Sequence, residues 1–169
     1  MAEIRHDDWS FIVDIESTAQ YYKDYDGLCS CAMCRNFYLN AQNLQHNIKD
    51  FLEQFGIDVA KPIEQWSTSA NKQENLVNNV LYYAVSGTVE SWGKYEIDFG
   101  VINIVVQAPN PTDVVKCPEN SPNTEIGEPY FIFEIFNVWL PWTVDDDINE
   151  CYPDPKLKKS LFKKLFSKR

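Results

Sequence analysis

The sequence predicts an α+β fold: an antiparallel β-sheet of about four strands, one main amphipathic helix packed on a face, and a C-terminal basic amphipathic helix. Three observations lead there. One apolar stripe at helical spacing runs through 36–55. Segments 81–89, 97–106 and 130–139 alternate like strands or are apolar on both faces. No β-α-β alternation separates them, which argues against a parallel, doubly wound sheet. A chain of 169 residues suits one domain. The expected division is a single acidic α+β domain over 1–155 and a basic amphipathic tail over 156–169.

Trp9, Phe11, Val13 and Ile15 occupy alternate positions, the period of a short half-buried strand. A helical face continued by Tyr21, Tyr22 and Tyr25 competes with that reading. Asp24-Tyr25-Asp26-Gly27 reads as a turn. Phe37, Ala41, Leu44, Ile48, Phe51 and Phe55 then recur at steps of four and three, one stripe of a 3.6-residue helix. Gly56 is placed to stop that helix in the left-handed conformation. Cys34 lies three residues before Phe37 and Cys31 three before Cys34, so both extend the buried side of its first turn. Cys29 comes from the preceding loop.

Residues 71–79 are polar and loop-like. Leu81, Tyr83, Val85, Gly87 and Val89 alternate with Tyr82, Ala84, Ser86 and Thr88, and Ile97, Phe99 and Val101 open a second strand. Ser91-Trp92-Gly93-Lys94 is short enough to join the two as a hairpin. Prolines 109, 111, 118, 122 and 129 remove backbone donors and predict irregular chain over 107–129. In 130–139, Phe131, Phe133, Ile135 and Trp139 point one way; Tyr130, Ile132, Phe136 and Val138 point the other. That is the pattern of a central strand covered on both sides. Its Phe131, Phe133 and Ile135 are expected against Phe37, Leu44 and Ile48. In the tail, Leu157, Leu161, Phe162, Leu165 and Phe166 share one helical face opposite the lysines, and Pro155 suits a helix start.

Charge is segregated. All 25 acidic residues fall within 1–155, and seven of the 15 basic residues fall within 156–169. The body carries −17 and the tail +7, which together make the chain's −10. An acidic body repels phosphate, so no nucleic acid is expected as a partner. The tail has the composition of a helix that lies on an anionic membrane surface. It equally suits docking on the acidic body, or a solubilising end. No run of eighteen apolar residues suggests a membrane span, and the N-terminus lacks a basic-then-apolar leader. A cytoplasmic location follows as an expectation, with five cysteines kept as thiols or held by a metal.

The chemistry concentrates at Cys29-Ser30-Cys31-Ala32-Met33-Cys34. Three thiolates at this spacing can supply three of the four ligands of a tetrahedral zinc site, with Cys117 or Cys151 as the fourth. His46 lies off the buried stripe and His6 near the chain end. The competing reading is three reduced thiols packed as small apolar groups. Cys31 and Cys34 at a helix start also allow thiol exchange or regulatory oxidation, although no strand leads into the helix as a thioredoxin-like domain requires. Glu134 interrupts the central strand as a general-acid candidate or the partner of a cation, Arg35 being the obvious one. Asp145-Asp146-Asp147 lacks the alternation and central glycine of a calcium loop and reads as a solvated turn. No phosphate loop, nucleophile elbow or His-Glu-x-x-His is present, so no catalytic residue is assigned and enzymatic activity is not favoured.

Two longer stretches, from Tyr25 through Cys29-Ser30-Cys31-Ala32-Met33-Cys34-Arg35-Asn36-Phe37-Tyr38 and Gly56-Ile57-Asp58-Val59-Ala60-Lys61-Pro62, together with Leu140-Pro141-Trp142, resemble a family of hypothetical proteins from Gram-positive bacteria. Its shared pattern is Cys-x-Cys-x-x-Cys-Arg-Asn-Phe/Tyr. The resemblance covers most of 20–145 and omits the tail. It implies a bacterial, single-domain protein and carries over no activity. The expected function is a small cytosolic, non-enzymatic protein-interaction domain, like an immunity protein or other antagonist or adaptor. The alternative is a zinc-thiolate structural or sensor domain built on Cys29, Cys31 and Cys34. An enzyme using Glu134 ranks third.

Overall fold

A computed structural model describes residues 1–108 and 124–153. The chain runs β1 (Ala2–His6), β2 (Trp9–Val13), α1 (Ile15–Asp24), α2 (Ala32–Asn40), a 3-10 turn (Ala41–Asn43), α3 (His46–Glu53), β3 (Glu64–Asn71), β4 (Leu76–Ser91), β5 (Ile97–Asp98), β6 (Asn103–Gln107), β7 (Tyr130–Pro141) and α4 (Ile148–Cys151). All strand pairs are antiparallel. They form one seven-stranded sheet of order β1-β2-β4-β7-β6-β5, with β3 beside β4. The α+β class stands. The expectation of about four strands and one main helix does not: the described residues form seven strands and four short helices.

The extra strands follow physical rules the hydrophobic pattern does not carry. β3 reads Glu-Gln-Trp-Ser-Thr-Ser-Ala-Asn and flanks only β4, so as an edge it has no need of an apolar face. The supposed loop at 71–79 holds the end of β3, a turn with Asn75 at φ 54, and the start of β4. The expected hairpin between 81–89 and 97–101 does not form. β4 instead pairs β2, β3 and β7, while β5 pairs β6 around Gly100. A 16-residue strand offers edge enough for partners far apart in sequence. Gly87, at φ 146, stands where β2 joins: a Cβ there would lie 2.2 Å from the Ile12 carbonyl oxygen.

The strand at Trp9 stops at Val13 because Asp14 caps α1, accepting the Ser17 N–H. The stripe through 36–55 is correct as a face and wrong as one helix. Phe37, Ala41, Leu44, Ile48, Phe51 and Phe55 are all buried, but Leu44 adopts an extended ψ of 145 and divides α2 from α3. Asn40 sits at the break, donating its amide to the Asn36 carbonyl and accepting from Asn43 Nδ2. Gly56 does take the left-handed conformation, at φ 80.

Helices and β7 share one core. Phe133 has ring centroids 4.9 Å from Phe55, 5.4 Å from Phe51 and 5.7 Å from Phe11. β7 is central, between β4 and β6, and Phe131, Phe133 and Ile135 face the core as expected. Trp139 does not join them. Leu81 pairs Ile135 and Asn79 pairs Val138, so β7 holds one extra residue there, with Asn137 at φ 63. This bulge turns Val138 and Leu140 inward and leaves Trp139 43% exposed. The tail at 156–169, with its expected amphipathic helix, lies outside the described residues. Among those residues, no helix is long and apolar enough to cross a membrane.

Candidate metal centre

Cys31 is the N-cap of α2, and Cys34 lies on the helix's first turn. Cys34 is 8% exposed, whereas Cys29 and Cys31 are open to solvent. The three sulfurs all lie within 4.8 Å of one another. A tetrahedral zinc site with Zn–S bonds near 2.3 Å separates its sulfurs by about 3.8 Å. Shifts of about 1 Å, small for two exposed side chains, therefore bring these three onto one ion.

Local hydrogen bonds set the cluster's shape. The Cys29 sulfur accepts the Cys31 N–H at 3.5 Å, and the Cys29 N–H donates to the Tyr38 hydroxyl at 3.1 Å. The same N–H from Cys31 holds the Cys29 thiol below its ordinary pKa. Burial, reinforced by the neighbouring Cys31 and Cys29 sulfurs, pushes the Cys34 thiol up to about 12. Burial, with Cys34 beside it, also raises the Tyr38 hydroxyl.

A second segment closes over this turn. Asn36, 1% exposed, accepts the Thr143 N–H at 2.7 Å and donates to the Pro141 carbonyl at 3.0 Å. Asn40 donates to Thr143 Oγ1 at 2.7 Å. Arg35 donates to the Ser30 carbonyl at 2.6 Å and pairs with Asp146 at 2.5 Å. Trp142 Nε1 donates to the Asp146 carbonyl at 2.8 Å. These contacts fasten 141–146 to α2 and deliver α4, with Cys151 at its end. Burial raises the Cys151 thiol, followed by the nearby carboxylates of Asp146, Glu150 and Asp147 and then by Cys31. Cys151 lies outside the tight group of three. Beside it a groove of about 810 Å³ runs along Thr68–Gln73, Tyr152 and Pro153.

The other candidates separate from this site. Cys117 lies outside the described residues. His46 is exposed and pairs with Asp50 at 3.2 Å, and His6 stacks on Phe99. Glu134 does not meet Arg35. It accepts from Tyr82 at 2.5 Å and from Gln107, on the sheet face opposite Phe133 and Ile135. Asp147 is the N-cap of α4, accepting the Asn149 N–H at 2.8 Å. Sequence reasoning named Cys151 and the 140–142 segment but missed that Asn36 and Arg35 hold 141–146 against the cysteine turn; the signal available was the Arg-Asn pair directly after Cys34.

The opposite sheet face carries a different feature. Trp66 on β3 is 56% exposed and Trp139 on β7 is 43% exposed. Val80 and Phe136 lie on the same outward face, since their neighbours Leu81 and Ile135 are buried. Glu64 accepts from Trp66 Nε1 at 2.6 Å. A scan of protein-family models and searches of curated proteins and solved structures return no match to this chain.

Proposed function

We propose that this protein is a metal-thiolate domain in which Cys29, Cys31 and Cys34 hold a soft divalent ion, zinc by the chemistry of the donors. One observation carries the reading: three sulfurs gathered within 4.8 Å at the start of a helix, two exposed and one buried. All-sulfur donors select zinc over magnesium or calcium, which take oxygen. Cys151 is the described residue best placed to supply a fourth sulfur, because the Arg35 and Asn36 contacts bring its segment over the same turn. The ion's role is structural or sensory: it ties the loop before α2, the helix and the 141–152 segment together. The Cys-x-Cys-x-x-Cys-Arg-Asn pattern gains a physical meaning, as three ligands followed by two residues that anchor the covering segment. Cobalt(II) titration of the reduced full-length protein tests the reading. Thiolate charge-transfer bands that saturate at one ion per chain are expected, weakened in Cys29→Ser and changed in form by Cys151→Ser. A wild-type protein that develops no such bands refutes it.

A second reading, a protein-interaction domain, is supported by the outward sheet face around Trp66 and Trp139. Exposed tryptophans beside carboxylates suit a partner that is apolar and basic. The test adds a basic amphipathic peptide of the composition found in 156–169 and follows tryptophan fluorescence. A salt-sensitive change, lost in the Trp66→Ser/Trp139→Ser variant, supports this reading. An unchanged spectrum opposes it, and binding to anionic vesicles instead would assign the tail to a membrane surface.

A further inference from the structure

We propose that the same cluster is a reversible thiol–disulfide switch: Cys31 and Cys34 close into a disulfide and so withdraw two of the three metal ligands. The proposal deepens the metal-thiolate reading by naming how that site is regulated. A disulfide bond is about 2.05 Å long. The three sulfurs already lie within 4.8 Å, so side-chain rotation supplies most of the remaining approach. Cys31 at the N-cap and Cys34 on the first turn of α2 have the Cys-x-x-Cys spacing on which helix-start disulfides are built. Cys29 and Cys31, with one residue between them, would close a much tighter ring. Access divides the roles. Cys31 is exposed and meets a dissolved oxidant, whereas Cys34, at 8% exposure, is reached by the sulfur beside it.

The co-reactant is a low-molecular-weight disulfide such as oxidised glutathione. The Cys31 sulfur attacks one of its sulfurs, forms a mixed disulfide and releases the first thiolate, while the Cys31 proton passes to solvent. The Cys34 sulfur then attacks the Cys31 sulfur, displaces the second thiolate and gives up its own proton. The protein loses two electrons and two protons, and the small disulfide leaves as two thiols. Excess thiol runs the steps backward. In the oxidised state Cys29 alone remains of the three ligands, too few to hold an ion.

The test exposes full-length protein, metal-free and zinc-loaded, to oxidised glutathione near neutral pH. Intact mass, peptide mapping and zinc content are read together. The metal-free protein should become lighter by two hydrogen atoms, with Cys31 linked to Cys34. Cys29→Ser should behave the same way, and the double variant Cys29→Ser/Cys34→Ser should stop with one glutathione on Cys31. The zinc-loaded protein should react several-fold more slowly, the oxidised protein should hold no zinc, and dithiothreitol should restore binding. Accumulation of glutathione adducts without an internal disulfide, or a disulfide that disappears in Cys29→Ser, overturns the proposal. Formation of the Cys31–Cys34 disulfide in a reduced protein that never binds zinc would support the disulfide and overturn the metal reading. Zinc binding without any disulfide would do the reverse.

Discussion

Replacing Asn36 with alanine tests how the site is assembled. Asn36 is 1% exposed, and its side chain accepts the Thr143 N–H at 2.7 Å and donates to the Pro141 carbonyl at 3.0 Å. The two losses are unequal. Asn40 Nδ2 also reaches the Pro141 carbonyl, at 3.3 Å, so that oxygen keeps a donor. The Thr143 N–H loses its acceptor, and because Thr143 is itself exposed, water can partly replace it. The lost hydrogen bond costs about 0.5–1.5 kcal/mol, and the void left by the buried Asn36 amide adds to it, giving about 1–2 kcal/mol in all. That is a large share of the ~5–15 kcal/mol that stabilises a typical domain. Urea unfolding of the metal-free protein measures the loss, and amide exchange locates it. Thr143 should lose protection, and Cys151 should alkylate faster as its segment loosens, while the β4–β7 ladder around Phe133 keeps its order. A cost below about 0.5 kcal/mol, the range of ordinary surface substitutions, with Thr143 protection unchanged, would refute this view of the anchor.

Phe133→Ala should cost about 3–5 kcal/mol, because the ring is fully buried against Phe11, Phe51, Phe55 and Phe131; a loss near 1 kcal/mol, ordinary for an average substitution, would contradict the shared core. Cys34→Ala should cost only about 1–2 kcal/mol without metal, the low end of core truncations, and a metal-free variant that fails to fold would contradict that estimate. Arg35→Ala removes an ion pair whose partners are 48% and 41% exposed, so stability should barely change while Cys151 alkylates faster; equal alkylation rates would show that the pair does not hold the segment. Burial holds the Tyr22 and Tyr83 hydroxyls well above their usual range. Unfolded tyrosine titrates near pH 10, so above that the native state binds more protons; stability is full below about pH 10 and falls as pH rises toward the native values. A urea midpoint that stays flat between about pH 8 and about pH 11 would contradict it.

What the sequence made legible depends on which forces leave a pattern. Phe37 through Phe55 recorded the buried face faithfully, because burial repeats with helical period whether or not the helix is continuous. The break at Leu44 left little trace, since asparagine is a common surface residue and Asn40 takes its role from Pro141 and Thr143, far along the chain. β7 was readable because both its faces need apolar side chains. The bulge at Asn137 was not, and it reversed the direction of Trp139. β3 stayed hidden because an edge strand is stabilised by backbone pairing, which any residue but proline supplies. At the site, the helix period correctly buried Cys34, but Cys31, expected on the same buried side, is the exposed N-cap of the helix. The covering segment depends on pairs more than a hundred residues apart, such as Asn36 with Thr143 and Arg35 with Asp146, and local periodicity records none of these.

The central claim is that Cys29, Cys31 and Cys34 act together as ligands. Native mass spectrometry of the reduced full-length protein, loaded with zinc and then alkylated, tests it most directly. The account predicts one zinc per chain, and slow alkylation at Cys29, Cys31 and Cys34 that becomes fast at Cys29 and Cys31 once a chelator removes the ion. A protein that stays metal-free in excess zinc, with Cys29 and Cys31 alkylating equally fast before and after chelation, would contradict it.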